Sequence, residues 1–195
     1  MSSSSIYDKY LSLLNASSSW TYDDKTKTTS IDQNFNRKLI GLPVDTEIII
    51  FKNELEKFRS RFNQPICKKD LPLNIKRIDF GFSFNQLVDS LPESITHLSF
   101  GYNFNKSVDS LPPNITHLSF GFYFNKPVDS LPNSITHLIF GYYFDQPVDS
   151  LPNSITHLFF DCEFNKSVDN LPKSLISLSF NSLNYNHSID MIPSQ

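Results

Sequence analysis

Apolar residues in this chain recur with a long period laid over a short one. In residues 131–150, LPNSITHLIFGYYFDQPVDS, the positions Leu131, Ile135, Leu138, Phe140, Phe144 and Val148 are separated mostly by polar or turn-forming residues. The same spacing returns at Leu91, Leu111 and Leu151, with weaker copies at Leu71 and Leu171, a step of 20 residues each time. Self-similarity at a period of about 20 to 50 residues marks a stacked architecture, in which one unit cannot bury its own apolar face. Within the unit, Leu138 and Phe140 alternate with His137 and Ile139, which predicts a short strand with the first pair inward and the second on the open face. The β-branched Ile135 and Thr136 favour extended backbone, and Gly141 ends the strand. Pro132 and Pro147 are hostile to a helix interior, so the return path is expected to be extended or turn-like. At Asp149-Ser150-Leu151-Pro152 the pattern predicts a turn in which the carboxylate accepts the N–H two residues on. The fold class that follows is mainly β: a solenoid of 20-residue coils with one parallel β-sheet of about seven strands, spaced about 4.8 Å apart.

The array reaches beyond its clean copies. Phe35-Asn36 opens a frame that continues through Leu42 to Phe51, and an insertion carrying Glu54, Glu56, Lys57 and Arg59 separates Phe51 from Phe62, where the alignment resumes. Tyr185 to Pro193 repeats the frame a last time with one added residue. Two regions result, 1–34 and 35–195. The first is rich in Ser and Thr, and its apolar spacing at Ile6, Tyr10, Leu13 and Leu14 fits a short helix. It is read as a cap over the first exposed rung, which solenoids require.

Composition adds exclusions. A net charge of -3, with no cluster of Lys or Arg, supplies no field for nucleic acid. No apolar run approaches the ~18 residues of a spanning helix, and residues 1–9 lack the segments of a secretory signal, so no membrane association and a cytoplasmic setting are expected. Cys67 and Cys162 fall in different copies and read as free thiols. No cofactor is expected and no oligomeric state is specified. The 18 Phe mostly occupy equivalent positions in successive copies and form rungs of the stack.

Stacking turns repeated polar residues into columns. His97, His117, His137 and His157 line up on the open strand face, and an even row of imidazoles is not the tetrahedral cage that zinc takes. The rings are expected to stack and stay mostly neutral, because charged neighbours at that spacing repel. Asp89, Asp109, Asp129, Asp149 and Asp169 form a second column, read as turn caps. Asn85, Asn105, Asn125, Asp145 and Asn165 form a third, read as a side-chain amide ladder. A catalytic residue is singular in its chain, and these recur with the fold, so no enzyme is expected. A metal-dependent hydrolase is the weakest alternative. The departures from repetition are the better lead. Two residues after the His column stand Asp79, Ser99, Ser119, Ile139, Phe159 and Ser179, so an apolar patch emerges at Ile139 and Phe159. Asp161, Glu163, Tyr142 and Tyr143 lie beside it in the sequence, and with His137 and His157 they are the candidate contacts for an unidentified protein partner.

The frame LPxSITHLxFGxxFNxxVDS resembles the FNIP repeat family, a relative of leucine-rich repeats named for its Phe-Asn-x-Pro-(Ile/Val) box and abundant in social amoebae and giant amoebal viruses. Phe62-Asn63-Gln64-Pro65-Ile66 and Phe124-Asn125-Lys126-Pro127-Val128 carry that box most fully, and eight ordered boxes cover residues 35–193. The resemblance implies a leucine-rich-repeat-like solenoid used as a protein-interaction surface. Many members also carry an F-box that recruits ubiquitin-ligase machinery. Residues 1–34 are too short for one, and an adaptor without a recognisable F-box is the alternative reading. In ordinary leucine-rich repeats the recurrent Asn comes two places earlier than Asn105 does, so the strand is expected to match that fold and the turn after it to differ.

Overall fold

The structure is a computed structural model that describes residues 20–52, 59–182 and 185–188. Among these, nine strands form one sheet in sequence order: β1 (Trp20–Asp23), β2 (Thr28–Ile31), β3 (Ile48–Phe51), β4 (Arg77–Asp79), β5 (His97–Ser99), β6 (His117–Ser119), β7 (His137–Ile139), β8 (His157–Phe160) and β9 (Ser177–Phe180). From β2 onward every pair is parallel, and from β4 to β9 each strand sits in register with the residues 20 places away. Among the described residues the helical content is a single 3-10 turn at Lys68–Asp70. The coil is therefore the predicted one, a short strand followed by a return path of turns and extended segments.

Six apolar residues per coil fill the interior. In the coil after Asp149 these are Leu151, Ile155, Leu158, Phe160, Phe164 and, closing the turn, Val168, all buried. Phe supplies two of the six columns. Phe120 and Phe124 lie face to face within their coil at 3.7 Å, and each ring sits 5.6 to 6.0 Å from its equivalent in the next coil at Phe140 and Phe144. The interior is thus a continuous double stack of rings running from Phe35 to Tyr185. Offset stacked rings with centroids about 4.5 to 7 Å apart attract beyond their burial.

Strand length follows the residue after the inward Phe. Where it is glycine, as at Gly81, Gly101, Gly121 and Gly141, the strand is three residues long; where it is Lys52, Asp161 or Asn181, it runs to four. A Cβ built on Gly101, Gly121 or Gly141 would collide with the carbonyl of the preceding coil's glycine. Close backbone approach, with ordinary negative φ, is what glycine provides here.

A second ladder holds the return path. The side-chain oxygen of Asn36 accepts the backbone N–H of Asn63. The same bond repeats from Asn63 to Asn85, Asn105, Asn125, Asp145, Asn165 and Asn186, at 2.9 to 3.2 Å. The amide-to-amide ladder expected from the sequence is thereby corrected: each side chain serves the main chain of the next coil, because the coil step brings that N–H within reach of the side-chain oxygen. At Asp145 the extra negative charge is matched by Lys166, 2.8 Å from the carboxylate. The Asp column also differs from expectation. The N–H of Leu151 goes to the carbonyl of Val148, and that of Leu171 to Val168, so the main chain closes these turns. Asp109 and Asp169 instead accept from Ser107 and Ser167, and Asp149 from the amide of Asn170.

At the N-terminal end, β1 and β2 form an antiparallel hairpin, and β2 pairs parallel with β3. The sheet therefore begins ahead of residue 35, inside the region read as a cap, and Trp20 packs on the core. The expected helix at Ile6 to Leu14 lies outside the described residues, as do Glu54, Glu56 and Lys57 of the insertion and the last frame beyond Ser188.

Candidate protein-binding surface

The open face of the sheet carries two columns, set two residues apart along each strand. One contains Arg77, His97, His117, His137, His157 and Ser177; the other contains Asp79, Ser99, Ser119, Ile139, Phe159 and Ser179. The imidazoles stack with centroids 4.3 Å apart and planes within 5 to 11°. Partial burial, and then the neighbouring rings or Arg77, push His97, His117 and His137 below the ordinary imidazole range. Arg77 is held by Asp79 in a two-pronged ion pair with contacts of 2.8 to 3.0 Å.

Ile139 is 46% exposed and lies opposite the half-buried Phe159 in the register of β7 and β8. Small Ser99 and Ser119 follow in the same column, so the face sinks into a shallow depression of about 270 Å³, bounded by Ile139 at one end and Arg77 with Asp79 at the other. The structure thus puts His137 against His157, and Ile139 against Phe159, on one surface.

The other four candidates lie on the turn after the strand. Tyr142 is half-buried and Tyr143 exposed, meeting edge to face at 4.9 Å. A hydrogen bond to Glu163 holds the Tyr142 phenol above its usual range. Asp161 accepts from Asn181 at 2.9 Å and from the Cys162 thiol at 3.1 Å, and that bond pushes the thiol above its usual range. Both cysteines are free.

Sequence reading missed the surface these tyrosines belong to. Phe82, Tyr102, Phe122 and Tyr142 form a column of rings 4.4 to 4.8 Å apart, flanked by Tyr123 and Tyr143 and closed at one end by the Arg59 guanidinium, 4.1 Å above Phe82. The signal was present as an aromatic residue after each recurrent glycine. Because these rings turn their faces to one another, they present edges outward and act mainly as a second, external spine.

Among the described residues no group of three or more His, Cys, Asp or Glu side chains is placed to hold a metal ion, and no helix is long and apolar enough to cross a membrane.

Comparison with known proteins agrees with this architecture. A search of curated proteins found no match. Among solved structures, CroV588, described as a novel circular LRR protein, superposes with a TM-score of 0.65 at 36% identity, covering 79% of this chain and 26% of its own length. This chain therefore spans about a quarter of that relative. The family model for the FNIP repeat matches residues 62–103, 87–123 and 124–163, about half of the chain. With its Phe-Asn boxes aligned in stacked coils, its Asn ladder and its short parallel strands, the chain belongs to the FNIP repeat family.

Proposed function

We propose that this protein is a non-enzymatic scaffold that binds a protein partner through the open face of its sheet, centred on Ile139 and Phe159. The observation that carries this reading is the pair itself. Buried columns are uniform because every coil needs the same filling. The open column has no such need, and it changes from serine to Ile139 and Phe159 in two adjacent coils. Grouped exposed apolar side chains with a polar rim favour a partner, and aromatic anchors carry a large share of interface energy. His137 and His157 border the pair, and Asp161 and Glu163 place negative charge at the end of the strand.

The test is Phe159→Asp. Its side chain lies on the open face, so the variant should keep the far-UV spectrum of the parent while losing the partners that the parent retains in a pull-down from host extract. Equal recovery of the same proteins by both forms rejects this surface.

A further inference from the structure

The turn after each strand carries a row of four side chains laid against the external spine of rings. Backbone N–H groups of Tyr123, Tyr143 and Glu163 bond the carbonyls of Tyr102, Phe122 and Tyr142 at 3.0 to 3.1 Å, so these three side chains start from equivalent places one coil apart. Tyr123 meets Tyr102 and Phe122 edge to face at 5.1 and 5.2 Å. Tyr143 meets Phe122 and Tyr142 in the same way at 5.1 and 4.9 Å. Glu163 is held by the Tyr142 hydroxyl. In the coil before Tyr123 the equivalent residue is Asn103, bonded through its N–H to the carbonyl of Phe82. Its short side chain leaves that flank to Arg59, which lies 4.1 Å from the Phe82 ring and 5.7 Å from that of Tyr102. The row therefore reads cation, tyrosine, tyrosine, carboxylate. All four members are exposed, the two tyrosines by 43% and 42%.

A row in this order is its own complement when reversed. Turned through 180°, it offers a carboxylate to the cation, a cation to the carboxylate and tyrosine to tyrosine. Closed pairs of identical chains require a patch with that property. A wholly acidic or wholly basic partner would satisfy one end and meet like charge at the other. Two copies laid parallel would oppose like charges at both ends, which costs affinity. Among the described residues neither Arg59 nor Glu163 is in an ion pair, so both charges are open to a partner. Tyrosine and arginine, the row's main constituents, are the residue types enriched at interfaces.

We propose that this turn surface is a self-association face, on which a second copy of the chain docks antiparallel about a two-fold axis over Phe122, the ring that Tyr123 and Tyr143 share. Arg59 of each copy then faces Glu163 of the other, and Tyr123 faces Tyr143. The row spans about three coil steps, or ~14 Å. Such a patch falls below the roughly 1,200 Å² that stable complexes bury, so the dimer is transient, with a dissociation constant on the order of 10 to 100 μM. Neither Ile139 nor Phe159 takes part, so the dimer stands or falls separately from the open-face reading.

Sedimentation equilibrium of the full chain, from about 5 to about 500 μM, supplies the test. The parent should pass from monomer to dimer across that range. Arg59→Glu gives a row with acid at both ends, and Glu163→Arg gives one with base at both ends. Each variant alone should associate roughly tenfold or more weakly than the parent, because every antiparallel contact at the ends now opposes like charges. An equimolar mixture of the two should recover the association of the parent, since each chain then meets a mate of opposite sign at both ends. Recovery in the mixture also separates a lost contact from a lost fold, which mixing cannot repair. Combining both substitutions in one chain restores the self-complementary order and should restore the dimer. A parent that stays monomeric throughout, single variants that associate as the parent does, or a mixture no stronger than its components overturns the proposal.

Discussion

Phe124→Ala tests the double ring stack where it is most constrained. The Phe124 side chain is fully buried, faces Phe120 at 3.7 Å within its coil, and lies 6.0 Å from Phe104 on one side and from Phe144 on the other. Burial of a Phe side chain contributes about 1.5 to 3 kcal/mol, and each stacked pair about 0.5 to 1.5 kcal/mol more. The cavity cannot close by drawing coils together, because the strand ladder fixes their spacing on one side and the bonds from Asn105 to Asn125 and from Asn125 to Asp145 fix it on the other. The expected loss is therefore about 3 to 5 kcal/mol, as for other unrelieved Phe→Ala changes. Against a typical total of about 5 to 15 kcal/mol that is a large fraction. Urea unfolding supplies the measurement, followed both by far-UV circular dichroism and by the fluorescence of Trp20, the single tryptophan, which packs at the hairpin end. The two probes should coincide in the parent and separate in the variant, because a break at mid-stack uncouples coils that are held only by their neighbours. A loss below about 1 kcal/mol, or coincident transitions in the variant, would refute the claim that rigid coil spacing sustains the cavity.

Three further outcomes are expected. Asn105→Leu leaves the backbone N–H of Asn125 without its acceptor and should cost about 1 to 3 kcal/mol in urea unfolding. Asp145→Asn keeps the ladder oxygen and exchanges only a partly exposed ion pair with Lys166, so the same measurement should move by no more than about 1 kcal/mol. Stability should also fall with acidification before the carboxylates titrate. His97, His117 and His137 bind protons less readily folded than unfolded, so stability is full above the unfolded imidazole value of about 6.5 and declines as pH falls through the lower folded values. A urea midpoint unchanged between about pH 7.5 and about pH 5.5 would contradict the burial assigned to the column.

Much of the fold was legible because each coil repeats one set of constraints. The positions of Ile155, Leu158, Phe160 and Phe164 could be assigned inward from alternation and period alone, and all four are buried. The open face was legible for the same reason, with Ile139 and Phe159 visible as departures from a column of small polar residues. Partner choice within the polar columns was less so. Asn and Asp side chains each have several acceptors and donors in reach along the chain, and the distance between coils decides among them. That distance sends the Asn oxygen to the next coil's main chain, and it leaves Leu151 to bond Val148 in place of the Asp149 carboxylate. Tyr142, Tyr143, Asp161 and Glu163 are close to the apolar pair in sequence, but the chain turns at Gly141 and at Asp161, which sets them on the adjoining turn surface.

The amino-acid sequence by itself determined the coil: its length, its single strand, its inward side chains and the absence of a long helix, since each follows from alternation, proline and glycine within some 20 residues. Only the tertiary structure decided what successive coils do to one another. Residues 20–31 carry no repeat, so their hairpin and its place at the head of the sheet depend on a free strand edge at β3 that exists only once the array has folded. The surroundings of each imidazole likewise include a threonine hydroxyl that lies between its own histidine and a carbonyl 20 residues away. Contacts of that kind are set by the spacing of stacked backbones, a quantity no local pattern of residues contains.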